Sequence, residues 1–177
     1  MLLDGDEWRR RFADIKQEAW RLEALPQYLV PQEAEEFAAF REGRPMSPYT
    51  TSSYTERVSR QRAEGKRNGR VHIVTQPLSD YLRFEFTRYY EAHVRAGDDI
   101  RILDVTNRPN PLEGVQDFWM FDREEVVLMN YEAEGRQLDR EVFEGDVTPF
   151  IEFQRIAVSE SVPFEEYVNG GHRAWPF

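Results

Sequence analysis

Charged side chains that stand among hydrophobic residues are the features of this sequence that could do chemistry. They are Arg21, Glu23, Asp80, Arg83, Glu85, Asp117 and Asp122, with Tyr81 and Trp119 as aromatic neighbours. An ion buried without a partner is costly, so these groups must pair with one another or bind a charged ligand. We favour a structural ion-pair network over a ligand site, because perturbed charges mark functional sites in only some proteins.

Other chemistries lack the residue pattern that they require. His72, His93 and His172 are not spaced as metal ligands, so we predict no metal site and interpret each histidine as structural. Ser79 and Asp80 could join a histidine in a catalytic triad, but no Gly-x-Ser-x-Gly turn surrounds Ser79. We therefore expect Ser79 to cap a helix. A glycine-rich phosphate loop is absent too, and we predict no catalytic residue and no cofactor.

Composition limits the classes of protein that this chain could represent. Its 177 residues are 40% hydrophobic and 14% aromatic, which suffices for one core. The net charge of −10 disfavours direct nucleic acid binding, and the absence of cysteine excludes disulfides and thiolate chemistry. No apolar stretch reaches the length of a membrane span, and the acidic N-terminus is unlike a secretory signal. We expect a cytoplasmic protein.

Hydrophobic periodicity predicts the elements that must position the charged groups. Three-to-four spacing of apolar residues indicates helices at 5–20, 34–40, 54–66, 78–95 and 148–160. Short runs of β-branched and aromatic residues indicate strands at 70–76, 100–105, 118–121, 126–129 and 137–143. The strands at 118–121 and 126–129 are close enough to form a hairpin.

The order of these elements predicts an α/β fold with a mixed sheet and helices on both faces. We expect one domain. Its parts are a helical N-terminal region at 1–53 that packs on the core, an α/β core at 54–160 and a frayed tail at 161–177, which includes Trp175. In such folds ligands often bind where a strand turns into a helix, which directs attention to the segment 70–85.

Three local patterns carry a resemblance to a known family. They are Ala19-x-Arg21-Leu22-Glu23 followed by Tyr28, then Pro77-Leu78-Ser79-Asp80-Tyr81-x-Arg83-Phe84-Glu85, and finally Asp117-Phe118-Trp119-Met120-Phe121-Asp122. With these patterns the chain resembles the actinobacterial domain-of-unknown-function family 6879 over nearly its whole length. The family has no assigned activity. Its members resemble accessory proteins encoded beside helix-turn-helix regulators, which implies a regulatory role.

A second resemblance concerns architecture alone. The element order is similar to half of a phospholipase-D-like domain, whose hairpin carries a His-x-Lys-x-x-x-x-Asp motif. If Asp122 takes the place of that aspartate, Val115 and Asp117 stand where the nucleophilic histidine and the lysine belong. Valine cannot form a phosphohistidine, so the resemblance implies a degenerate, non-catalytic relative.

Three functional hypotheses follow. The first is a non-catalytic regulatory or accessory module that contacts a protein partner, such as a DNA-binding regulator, with small-ligand sensing as a further option. The alternative is a hydrolase or phosphodiesterase-like enzyme that uses Asp80, Arg83, Glu85 and Asp117 in a cleft. The third, direct nucleic acid binding, depends on the arginine-bearing helix at 56–67, although a helix of mixed charge is usually a solvated face. The sequence indicates neither the ligand nor the oligomeric state.

Overall fold

A seven-stranded sheet forms the centre of the computed structural model, which describes residues 1–170. The strands are β1 (Glu18–Glu23), β2 (Arg67–Val74), β3 (Asp98–Asp104), β4 (Phe118–Phe121), β5 (Glu125–Tyr131), β6 (Gln137–Val142) and β7 (Val162–Pro163). They lie in the order β6-β5-β4-β1-β2-β3-β7. β1, β2 and β3 are parallel, whereas the other neighbouring pairs are antiparallel. The predicted mixed sheet and the hairpin of β4 and β5 are confirmed.

Helices cover both faces of this sheet, as predicted. They are α1 (Gly5–Asp14), α2 (Ala34–Arg41), α3 (Ser53–Ala63), α4 (Asp80–Glu85), α5 (Glu91–Ala96), α6 (Thr148–Glu160) and α7 (Phe164–Asn169). A 3-10 turn at Pro31–Glu33 precedes α2, and a π-helical turn at Phe86–Tyr90 joins α4 to α5. The predicted helix at 78–95 is thus one continuous helical segment with a π turn inside it. Among residues 1–170, no helix has both the length and the hydrophobicity needed to cross a membrane.

The two faces of the sheet differ in composition because side chains alternate along each strand. One side, which we call the apolar face, presents Trp20 and Leu22 of β1 and Val71 and Ile73 of β2, and α6 packs against it. The opposite side, which we call the polar face, presents Arg21 and Glu23 of β1 and Arg70 and His72 of β2, and these four side chains are largely buried. Helices α1, α4, α5 and α7 cover the polar face.

The predicted helix at 5–20 is wrong beyond Asp14. Residues 18–23 form β1, which pairs with β2 on one side and β4 on the other, near the middle of the sheet. Alanine, leucine, glutamate and arginine all favour helices, and the helical spacing of Phe12, Ile15 and Ala19 continues into β1. Pairing with two neighbouring strands overrides that local preference. The N-terminal region therefore contributes a central strand and is not only helical.

The predicted frayed tail is wrong for the part that the structure describes. Val162 and Pro163 add β7 to the edge of the sheet beside β3. Phe164 and Tyr167 of α7 are buried in the core of the polar face. His172 and Trp175 lie outside the described residues.

Candidate functional site

A cavity of about 640 Å³ lies against the polar face of the sheet. The sheet contributes Arg21, Glu23, Arg70 and Trp119 to its lining, and helices α1, α3 and α4 contribute others. This volume lies in the range of pockets that bind small organic molecules. The turn after β2, where we expected a ligand, contributes no lining residue, because the cavity lies over the sheet face and not at the strand end.

The floor of the cavity is a closed ion-pair network centred on Glu23. Its carboxylate lies 3.1 Å from Nη1 of Arg21 and 3.5 Å from Nη1 of Arg70, and Arg70 also lies 3.4 Å from Asp98. Burial acts to raise the pKa of Glu23, but the two guanidiniums outweigh it and hold that pKa below its ordinary value. Glu23 is therefore ionised and paired, as the predicted structural network requires.

Asp117 extends the network behind Arg21. It accepts a hydrogen bond of 2.9 Å from the backbone N–H of Ala24 and another from the hydroxyl of Tyr28. Arg21 approaches its carboxylate to 4.0 Å. Burial raises the pKa of Asp117 to about 6, although Arg21 and Tyr28 act in the opposite direction. Asp117 thus anchors the segment after β1 and does not itself line the cavity.

His72 is a satisfied structural histidine, as predicted. Its Nε2 lies 3.1 Å from the carbonyl oxygen of Leu25, which can only accept, so Nε2 carries a proton. Its Nδ1 lies 2.9 Å from the hydroxyl of Tyr90. Burial lowers the pKa of His72, so the ring is neutral at neutral pH. Its approaches to Glu23 at 3.4 Å and Glu85 at 3.7 Å are therefore not ion pairs.

Glu85 is the one acidic residue of this cluster without a partner in the described chain. Its side chain is 9% exposed and lines the cavity, yet its Oε2 is buried without a hydrogen bond. Burial and then the negative charge of Glu23 raise the pKa of Glu85 well above its ordinary value. Burial therefore favours the protonated form of this carboxyl group when the cavity holds no cation.

One group of residues within 1–170 has the composition of a metal site. Each of Glu23, His72 and Glu85 offers one ligand atom, and these atoms lie within 4.8 Å of one another. However, Tyr90 already occupies Nδ1 of His72, and two guanidiniums hold Glu23. A divalent ion would meet their like charge at short range, so this arrangement favours a proton or an organic cation at Glu85 over a metal.

Arg57 and Arg140 also line the cavity, and sequence reasoning missed both as site residues. The guanidinium of Arg57 lies 4.3 Å from the ring centre of Phe12, and that of Arg140 lies 4.9 Å from the ring centre of Trp8. Neither side chain forms a hydrogen bond or an ion pair with any residue of 1–170. Burial lowers the pKa of both groups, and for Arg57 the charge of Asp98 acts in the opposite direction without outweighing it.

Apart from Asp122, the predicted site residues separate into three groups. Five line the cavity, namely Arg21, Glu23, Tyr81, Glu85 and Trp119. Asp117 lies behind them. Asp80 and Arg83 instead form an exposed pair at 2.8 Å on the outer side of α4, so the four residues of the predicted hydrolase cleft do not converge. Asp80 and Arg83 share one face of α4 as residues i and i+3, whereas Glu85 points to the opposite side, into the cavity.

Asp122 holds a backbone segment in place through hydrogen bonds and does not line the cavity. Its carboxylate accepts hydrogen bonds of 2.9, 2.7 and 2.9 Å from the backbone N–H groups of Lys16, Gln17 and Glu18. Asp122 has a φ of 53°, in the left-handed region, where aspartate is among the tolerated residues. It therefore fixes the start of β1 against the turn after β4.

A second cavity, of about 810 Å³, lies at the amino ends of the parallel strands. Although it is larger, its ions are either paired or exposed to solvent. Glu18 pairs with Arg67 at 3.5 Å and with Arg123 at 2.9 Å, and Glu152 pairs with Arg155. Arg62 and Asp99, which also line it, are exposed. Because this cavity holds no buried ion of residues 1–170 without a partner, we place the candidate site in the cavity of the polar face.

Comparison with known proteins bears on the whole chain. No curated protein matches it. One family model, described as a domain of unknown function (DUF6879), matches residues 6–169, a range that runs from α1 to α7 and contains every residue that lines the cavity. The resemblance found in the sequence is thereby confirmed, and the chain belongs to the DUF6879 family.

Proposed function

We propose that this protein is a ligand-binding module whose polar-face cavity takes a small organic anion. The observation that carries the proposal is the pair Arg57 and Arg140, which line the cavity without an anion from the described chain. The protein has 33 acidic residues against 23 basic ones, so two arginines left unpaired in a cavity are unexpected unless a ligand supplies the negative charge.

The rest of the lining supports a ligand that contains a ring. Aromatic side chains surround the cavity, including Trp8, Phe12, Tyr54, Trp119 and Tyr131. Such rings offer flat apolar surface and edge-to-face contacts to a planar group. Arg57 and Arg140 already lie over aromatic rings of the cavity wall. If the ring of a ligand packs beside those rings, its anionic group could reach a guanidinium without a rearrangement of the protein.

This proposal develops the small-ligand option within the regulatory hypothesis. A regulatory role, a helix-turn-helix partner and a distant relation to phospholipase-D-like domains stay predictions. The hydrolase alternative also stays a prediction, and of the four residues named for it only Glu85 lines the cavity.

Calorimetric titration with three anions tests the proposal. Benzoate, inorganic phosphate and adenosine monophosphate separate the contributions of a ring and of a phosphate. We expect at least one of them to bind, and we expect the double variant Arg57→Met, Arg140→Met to weaken its binding at least tenfold. Methionine keeps most of the apolar volume while it removes the charge.

Arg95→Met is the matched control. Arg95 is an exposed arginine of α5 whose partner is Glu91, and it does not line the cavity. Its replacement should leave anion binding unchanged. The proposal fails if none of the three anions binds at millimolar concentration, or if the double variant binds them as well as the wild type does.

A further inference from the structure

Glu85 lines the same cavity, and the proposed anion site gives this acidic residue no role. Glu85 is nine-tenths buried, faces the cavity and has an Oε2 atom without a hydrogen bond. A buried carboxyl group that lacks every partner is rare in folded proteins, because its desolvation is not compensated. A bound ligand could supply the missing donor.

The surroundings of Glu85 suit a positively charged nitrogen. Glu33 also lines the cavity, and the hydroxyl of Tyr81 donates to it at 3.0 Å. Burial raises the pKa of Glu33 as well. The rings of Tyr81 and Tyr89 line the same cavity, and aromatic faces beside carboxylates are a common way to bind organic cations.

The basic and acidic parts of the cavity come from different elements. Arg57 belongs to α3 and Arg140 to β6, where each lies over an aromatic ring of α1. Glu85 belongs to α4, and Glu33 to the 3-10 turn before α2. The cavity therefore carries unpaired positive groups and an unpaired acidic group at once, without the two neutralising each other.

We infer that the cavity binds an amphoteric ligand, with a protonated amine or similar cation at Glu85 and an anionic group at Arg57 and Arg140. The anionic half of this inference rests on the proposed function, whereas the cationic half rests on Glu85 alone. A nitrogen cation can donate to the accessible oxygen of the Glu85 carboxylate, Oε1, in a charge-assisted hydrogen bond, and the ligand's net charge then stays near zero.

Three related probes separate the two halves. Benzylammonium carries only the cation, benzoate only the anion, and 4-(aminomethyl)benzoate carries both at opposite ends of one ring. We expect 4-(aminomethyl)benzoate to bind at least tenfold more tightly than either of the other two. Glu85→Gln should weaken benzylammonium and 4-(aminomethyl)benzoate at least tenfold and leave benzoate unchanged. Glu91→Gln, an exposed change of the same charge in α5, serves as the control and should alter none of the three.

Proton release gives a second measurement. The charged or titratable groups around Glu85 are Arg21 and Glu23 of β1, Arg70 and His72 of β2, Glu33, Tyr81 and Tyr90. Among them, burial favours the protonated form of Glu85, and a cation that pairs with its carboxylate favours the ionised form. Titrations of benzylammonium in buffers of different ionisation enthalpy should therefore show more proton release for the wild type than for Glu85→Gln.

The outcomes distinguish the two proposals. If benzylammonium fails to bind, or binds Glu85→Gln as tightly as wild type, the cationic site is wrong. If benzylammonium binds in the expected way and benzoate does not, the proposed anion site is wrong while the site at Glu85 stands. If both bind but 4-(aminomethyl)benzoate gains no affinity, the two sites do not serve one ligand and the amphoteric inference is overturned.

Discussion

Leu22 and Glu23 are neighbours in β1 that lie on opposite faces of the sheet, and both are almost fully buried, with 0% and 1% of their surface exposed. Leu22 packs among apolar residues beneath α6, where non-directional burial provides the stability. Glu23 depends on two specific guanidiniums. The apolar face tolerates changes in shape, whereas the polar face depends on complete sets of partners.

The polar face itself combines two kinds of charge. Arg70 is held by Glu23 and Asp98, whereas Arg57 lies in the same cavity wall without a carboxylate of residues 1–170. Both guanidiniums lie near the ring of Tyr54, at 5.6 and 5.0 Å from its centre. Both arginines lie near one ring, but within the described chain only Arg70 has carboxylate partners, so a comparison of the two separates a structural charge from one that we assign to a ligand.

Removal of a structural charge should have the largest effect. Arg70→Met leaves Glu23 and Asp98 buried with one partner fewer each, so we expect the free energy of unfolding to fall by about 3–5 kcal/mol. Urea denaturation followed by circular dichroism measures this loss. A loss below about 1 kcal/mol would mean that the polar face does not depend on its ion pairs.

The ionisable residues of the polar face should also make the free energy of unfolding depend on pH. Asp117 has a pKa of about 6 in the folded protein against an ordinary value of 3.8, so its contribution is fully present below about pH 4 and is lost as the pH rises through 6. At about 1.4 kcal/mol per pKa unit, ionisation of Asp117 disfavours the fold by about 2–3 kcal/mol at pH 7. Asp117→Asn removes this penalty.

The stability of Asp117→Asn relative to wild type should therefore increase by about 2–3 kcal/mol between pH 4 and pH 7. Urea denaturation at both pH values measures the difference. Glu85, whose pKa is also raised, contributes equally to both proteins and cancels in the comparison. If the difference between variant and wild type is the same at both pH values, Asp117 is not the group responsible.

A change on the apolar face should be smaller and independent of pH. Ile73→Val removes one methylene group beneath α6 and should cost about 0.5–1.5 kcal/mol at both pH 4 and pH 7. Thermal unfolding at the two pH values checks this expectation. A marked pH dependence would show that the two faces are coupled.

Removal of a charge that we assign to a ligand should have the smallest effect on stability. Arg57→Met forfeits a contact with the ring of Phe12 but also relieves the burial of an unpaired charge. We expect the free energy of unfolding to change by less than about 1 kcal/mol, in contrast to Arg70→Met. A loss as large as that of Arg70→Met would assign Arg57 to the structural network instead.

Sequence reasoning reached the apolar face more readily than the polar face. Hydrophobic periodicity located α6 on the apolar face and the hairpin, because their buried positions are largely apolar. On the polar face it located the helical segment at 80–96, from the apolar seam of that segment. It missed β1, where buried Arg21 and Glu23 interrupt the apolar pattern and helix-favouring residues surround them.

The candidate site was predicted in part for the same reason. Charge among hydrophobic residues directed attention to Arg21, Glu23, Glu85 and Asp117, which lie together on the polar face. The alternation of Arg70 and His72 with valine and isoleucine in β2 was a further signal, since period two places both on one face. Nothing in the helix of Arg57 or the strand of Arg140 distinguishes these arginines from solvated ones, because only the tertiary fold places an aromatic ring beneath each.

The π turn at Phe86–Tyr90 has a consequence for how this family can vary in length. Tyr81, Glu85, Tyr89 and His93 recur every four residues and all line the cavity. In a regular α-helix each residue turns by about 100°, so a side chain four residues further on points about 40° away from the previous one. Over three such steps the last side chain would no longer face the same side as the first. The wider π turn absorbs the drift. Deletion of Thr87 or Arg88 within it would leave every cavity side chain in the chain, yet would turn α5 by about 100° and re-aim His93, so a one-residue gap here would change the lining of the cavity.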